Sequence, residues 1–119
     1  SVAAVGGGHF PELEELTATG MPISAALLAP VVKNCKRLRR LRVPNSAGFS
    51  DALVRLITRL EHCQRCLAEL DVSECQRVTG ESIALLSNLR ALRVLNVTHC
   101  RGVTRESLAQ AVNGRVSVR

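Results

Sequence analysis

Cys66-Leu67-Ala68-Glu69-Leu70-Asp71-Val72-Ser73-Glu74-Cys75 is answered 25 residues later by Ala91-Leu92-Arg93-Val94-Leu95-Asn96-Val97-Thr98-His99-Cys100. The two segments share their apolar positions and their closing cysteine, and the register continues beyond them. Val78-Thr79 falls on Val103-Thr104, and Glu81-Ser82 on Glu106-Ser107. A match that holds apolar, cysteine and hydroxyl positions together at one spacing marks an internal repeat, and a period between about 20 and 50 residues indicates a stacked array.

Working backwards, Leu38-Arg39-Arg40-Leu41-Arg42-Val43 takes the same frame 29 residues before Leu67, with the extra residues absorbed around Glu61 to Arg65. Leu13-Glu14-Glu15-Leu16-Thr17-Ala18 precedes Leu38 by 25. Four units follow, over about 10–34, 35–63, 64–88 and 89–113. The pattern L-x-x-L-x-V/A with a later cysteine is the leucine-rich-repeat signature in its cysteine-containing form. The expected fold is therefore an α/β solenoid of about four strand-helix units, with a short parallel sheet on the concave face and helices on the convex face. Residues 1–9, with Gly6-Gly7-Gly8, have no repeat character and are expected to form a flexible leader. Residues 114–119 form either a tail or the start of a further strand.

Within each unit the second leucine and the following Val or Ala alternate inward on the strand. Leu16/Ala18, Leu41/Val43, Leu70/Val72 and Leu95/Val97 should then stack into one core. Hydroxyls at Ser24, Ser50, Thr79 and Thr104 are placed to cap helices near 25–33, 51–62, 81–87 and 105–112. Pro30 should shorten or bend the first of them. Cys75 and Cys100, with Ser46 at the matching place, fall where the chain leaves the strand, a site for a small packed group that donates weakly to backbone.

The same alternation points other side chains at the open sheet face. Glu15, Arg40, Glu69 and Val94 form one row, and Thr17, Arg42, Asp71 and Asn96 the next, with neighbouring strands about 4.8 Å apart. Arg40 would lie between Glu15 and Glu69. These eight residues are the candidate partner-binding face, since such arrays bind through their concave side.

The chain has 119 residues, 46% hydrophobic and 22% charged, enough for one core and too few for two. Its aromatics are Phe10 and Phe49, so the core must be aliphatic. No run approaches the roughly 18 apolar residues of a membrane span; the longest, Ile23 to Val32, contains Pro30. Five cysteines, several locked to the repeat, suit a reducing compartment and not a disulfide scaffold. The net charge of +6 is concentrated at Lys33, Lys36, Arg37, Arg39, Arg40 and Arg42. That basic patch suits RNA, anionic lipid or an acidic protein, although most such clusters are solvated or paired with neighbouring carboxylates.

Cys63-Gln64-Arg65-Cys66, beside His62, raises zinc or dithiol chemistry, but a structural zinc needs about four ligands and no second pair follows at a usual spacing. Cys66 immediately precedes the first strand leucine, where the repeat itself explains a small apolar residue. His9 and His99 are isolated surface groups. No nucleophile elbow or phosphate loop is present, and Gly6-Gly7-Gly8 lacks the strand-before, helix-after context of one. An enzyme is not expected, nor are a cofactor, a metal or a small-molecule substrate. Contact with RNA through the basic patch would be to phosphates alone, since stacking aromatics are scarce.

From Cys35-Lys36-Arg37-Leu38 to Val103 the chain resembles the mitochondrial family that contains ATP synthase subunit s, also called coupling factor B, and the distal membrane-arm assembly component of respiratory complex I. The likeness includes the C-K-x-L opening, the long second unit and the Cys75-x-x-Val78-Thr79 turn. Ser46 departs from it where the family has Cys, and nothing before Phe10 resembles it. The resemblance implies an accessory or assembly protein docked to a large mitochondrial complex, hence a mitochondrial location, with the cytoplasm as alternative. Alternative functions are a basic scaffold of a mitochondrial ribosome or RNA-processing particle, and a substrate-adaptor repeat of a ubiquitin ligase.

Overall fold

A computed structural model of the chain describes residues 12–18, 23–112 and 114–119. The expected leader, His9 and the start of the first unit at Phe10 lie outside the described residues.

Each L-x-x-L-x-V segment places its second leucine at the centre of a three-residue strand. These are β1 (Glu15–Thr17), β2 (Arg40–Arg42), β3 (Glu69–Asp71) and β4 (Val94–Asn96), followed by the two-residue β5 (Ser117–Val118). They form one parallel sheet in the order β1-β2-β3-β4-β5. Leu16, Leu41, Leu70 and Leu95 lie in register and are fully buried, while the residues flanking each are exposed or half-exposed. That contrast is the period-2 alternation of a sheet with one covered face. The core beneath is aliphatic except for the buried Phe49 and the thiols of Cys35, Cys63, Cys75 and Cys100.

The connecting helices are α1 (Ala25–Asn34), α2 (Asp51–Arg59), α3 (Glu61–Cys66), α4 (Gly80–Ile83) and α5 (Arg105–Ala111). The single helix expected over 51–62 is broken at Leu60, whose ψ of 122° is extended, and the additional residues of the long unit wind into the separate α3. The third expected helix is one turn of α4 continued by a 3-10 segment, Ala84–Asn88. Pro30 sits inside α1, which runs through it to Asn34.

The expected caps are corrected in three of four cases. Ser24, Ser50, Thr79 and Thr104 all occupy N-cap positions, yet only Thr104 caps with its side chain. Its hydroxyl accepts from the Ser107 N–H at 3.2 Å while the Ser107 hydroxyl accepts from the Thr104 N–H at 3.0 Å. Thr79 is engaged elsewhere. Its N–H and hydroxyl donate to the Asp51 carboxylate of the preceding unit at 2.7 and 2.6 Å, and the Ser82 hydroxyl donates to the same group. Asp51 thus ties down the start of α4 from outside the helix. The equivalent of Asp51 one unit later is Gly80, which has no side chain to lend, so Thr104 and Ser107 close on each other. A Cβ on Gly80 would stand 2.8 Å from the Ser107 Cβ, so the closeness of the two units holds that position to glycine.

A further regularity appears where each strand ends. Asn45, Glu74 and His99 share one repeat position and one left-handed backbone, with φ of 54°, 60° and 60°. The Asn45 and Glu74 N–H groups then donate to the Ser73 and Thr98 carbonyls of the following unit, at 2.7 and 2.8 Å. The next residue ties each turn to the unit before it. The Cys75 thiol donates to the Val43 carbonyl at 3.3 Å, the Cys100 thiol to the Val72 carbonyl at 3.0 Å and the Ser46 hydroxyl to the Ile23 carbonyl at 3.2 Å. Burial pushes the Cys75 thiol up to about 11, so it stays a neutral donor at physiological pH. A left-handed conformation costs a non-glycine residue about 1–2 kcal/mol. Glu74→Gly is therefore expected to stabilise the fold by about 0.5–1 kcal/mol after the entropy of glycine is subtracted. A urea midpoint that rises with unchanged slope bears this out; a fall means that the Glu74 side chain contributes to the turn.

Candidate functional site

The face of the sheet opposite the core carries the two rows in register. Glu15, Arg40, Glu69 and Val94 are lateral neighbours, with Ser117 of β5 extending the row. Thr17, Arg42, Asp71 and Asn96 form the second, and Arg119 follows β5 into line with Asn96. Strand alternation fixes the orientation, because a residue beside a buried leucine must face the other way.

Arg40 lies between two acids. Its guanidinium donates to Glu15 and approaches Glu69 at 3.9 Å. Arg42 leaves its own row and pairs diagonally with Glu69 at 2.5 Å, so Glu69 is shared by both arginines. The Arg40 hydrogen bond holds the Glu15 carboxyl below the usual carboxylate range, and the Arg42 hydrogen bond does the same for Glu69 against the opposing effect of burial. All these groups keep contact with water, Glu69 being the least exposed at 22%. Pairs of this kind contribute roughly 0–1 kcal/mol each. They orient the side chains more than they stabilise the fold.

Asp71 and Asn96 have local structural roles. Asp71 Oδ1 accepts from the Ser73 N–H at 3.0 Å and its hydroxyl at 2.8 Å, and Asn96 Oδ1 accepts from the Thr98 N–H at 3.0 Å and its hydroxyl at 2.6 Å. These are Asx-turns that start the reversal after the strand. In the second unit Pro44 has no N–H to donate, and Arg42 replaces the acid or amide.

The basic patch is largely answered by acids. Arg37 pairs with Glu12 at 2.6 Å and Arg39 with Glu14 at 3.5 Å, and Arg40 pairs with Glu15, each across one unit. Lys36 Nζ donates to the Lys33 carbonyl at 3.0 Å, at the exposed end of α1. The ladder is visible in the sequence as Glu12-Leu13-Glu14-Glu15 placed 25 residues before Arg37-Leu38-Arg39-Arg40. The diagonal from Arg42 to Glu69 has no such signal, because it depends on which rotamer a long side chain takes.

Cys63 and Cys66 both lie on the short α3, where Cys63 is fully buried and Cys66 half-exposed. Burial pushes the Cys63 thiol up to about 12, which opposes the thiolate that metal binding or exchange chemistry requires. Among the described residues no three of His, Cys, Asp and Glu gather as a metal-ligand group. His62 Nε2 donates to the Val32 carbonyl at 2.8 Å, tying α3 to α1. No helix of the described residues is long and apolar enough to cross a membrane. Comparison of the chain with known protein-family models and with curated protein sequences returns no match.

Proposed function

We propose that the chain is a leucine-rich-repeat module without catalytic activity, which binds another protein through the open face of its sheet. The observation that carries this is the pair of in-register rows of half-exposed charged and polar side chains, held by short strands whose central leucines are buried. Rigid strands present the groups, and ion pairs between them fix their directions before a partner arrives, which reduces the ordering cost of association. The signs alternate along the face, from Glu15 to Arg40 to Glu69, so a matching partner carries a complementary mosaic and not a uniform charge. In support of the repeat itself stand the common register, the left-handed residue at one position of three units and the thiol or hydroxyl bond from each turn to the unit before it. The resemblance over residues 35–103 directs the search for the partner to mitochondrial complexes, respiratory or ATP synthase. The RNA-scaffold alternative is less favoured, because Phe49, the one Phe, Tyr or Trp among the described residues, is buried and offers no ring for bases to stack on.

Arg40→Glu tests this directly, since it sets three acids side by side. It is expected to cost about 1 kcal/mol of stability. It should also reduce the recovery of the specific partner in quantitative affinity purification by about tenfold or more, from the loss of a fixed complementary charge. Equal recovery by the wild type and the variant would remove the sheet face from the account.

A further inference from the structure

We propose that the loops leading into β2, β3 and β4 form a second binding surface, a shallow groove that takes an extended acidic polypeptide segment of a partner protein. Stacking of equivalent repeat positions brings Lys36, Arg65 and Arg90 into one column, spaced 29 and 25 residues apart, and Arg39, Ala68 and Arg93 into the next. An open groove runs beside these columns, floored by the half-buried Cys66, Ala68 and Ala91 and walled by arginines, with Glu14 as its one acid. Arg90, next in sequence to Ala91, lines a different hollow with Ser87 and Leu92.

The balance of charge there is positive. Among the described residues Lys36, Arg90 and Arg93 have no carboxylate at ion-pair distance. Arg93 instead donates to the carbonyls of Arg90 and Leu92, at 3.1 and 2.9 Å. Lys36, Arg90 and Arg93 stand beside the groove; the arginines that line it, Arg37, Arg39 and Arg65, do have partners, Glu12 at 2.6 Å, Glu14 at 3.5 Å and Glu61 at 3.7 Å, but all six side chains are more than half exposed. Such pairs are weak and exchange readily for another carboxylate.

The floor selects polypeptide over nucleic acid. Phe49, the one Phe, Tyr or Trp among the described residues, is fully buried, so bases would find no such ring and would have only guanidinium planes to stack on in the groove. Small apolar side chains at the bottom and guanidinium groups at the rim suit a strand-like segment whose alternate residues point down and up. Downward residues meet Cys66, Ala68 and Ala91; upward carboxylates meet the arginines, for which they form charge-assisted bonds. The groove meets the sheet face along one rim, where Glu14 and Arg39 share a hollow with Glu15 and Arg40; Arg65 and Cys66, on α3, lie off that face and test the groove by itself.

The probe is a fluorescein-labelled peptide of about twelve residues alternating Glu and Ala, matched to the period of an extended chain, titrated onto the full chain at about 50 mM salt, where screening is modest. Saturable binding is expected, weakened about tenfold or more in Arg65→Glu/Arg90→Glu/Arg93→Glu. Ala68→Leu, which fills the floor without changing charge, should weaken it about threefold or more, by steric exclusion. Bound peptide should also slow maleimide labelling of Cys66, the half-exposed thiol, which loose electrostatic association would not do. No saturable binding, or affinity unchanged by the charge reversals, overturns the proposal. So does an RNA of equal charge that binds as tightly and protects Cys66 as well, which would make the groove a phosphate site.

Discussion

Leu70→Ala is expected to lower the unfolding free energy by about 3–4 kcal/mol, from lost transfer energy plus the cavity left behind. Leu70 is fully buried at the centre of β3, in register with Leu41 on one side and Leu95 on the other. Its removal therefore weakens the packing beneath three adjacent strands at once. Against a total stability of about 5–15 kcal/mol this is a large fraction, and it should lower Tm by roughly 12 °C or more. Val118→Ala is the contrast: Val118 holds the matching position on β5 but is 38% exposed, and its loss should cost under about 1 kcal/mol. Equal losses at the two positions, read by urea unfolding, would mean that the leucine row is not the shared core of the units.

Asp51→Ala is expected to cost about 2–3 kcal/mol at neutral pH, because it leaves the Thr79 N–H and hydroxyl without their acceptor and the Ser82 hydroxyl with only the Thr79 carbonyl at 3.3 Å. The pH dependence follows from the carboxyl. Burial alone would raise its pKa, but the hydrogen bonds from Ser82 and Thr79, with the nearby Arg55, outweigh that and hold it below the ordinary value. A folded-state pKa below the unfolded one, about 3.9 for Asp, means stability that is fully present above roughly pH 4 and lost as pH falls through the folded value. Asp51→Asn keeps one acceptor and removes the titration, so wild type and variant should differ by a constant amount from about pH 5 to 8 and draw together as pH falls below about 4. An unchanged difference at about pH 3 would show that the ionised carboxylate is not what joins the second unit to the third.

The leucines, the strand register and the rows of the open face were all legible from the repeat, since period-2 alternation and a fixed offset leave each side chain only one place to go. The pairing of Glu12, Glu14 and Glu15 with Arg37, Arg39 and Arg40 was legible in the same way, once the two segments are set one above the other. What local sequence does not determine is what a neighbouring unit supplies. Thr79 has the residue type of a cap, but Asp51 reaches it first, from 28 residues away in the chain. Leu60 has no breaker chemistry, and the division of the long helix there is a matter of packing the additional residues. Glu74 and His99 adopt left-handed turns that composition favours only for Asn45, because the turn is fixed by its bonds to adjacent units and not by the residue making it. Asp71-x-Ser73 and Asn96-x-Thr98 do carry a recognisable Asx-turn pattern, and it separates those two residues from the exposed charges beside them.

Site-specific photo-crosslinking tests the docking claim most directly. A photoreactive residue at position 94, uncharged and on the fourth of the five strands, is expected to give a discrete adduct with one partner in the native assembly, whereas the same residue at the exposed position 52 on α2 gives none. An adduct from position 52 and none from position 94 would contradict the account and move the interface to the helical side.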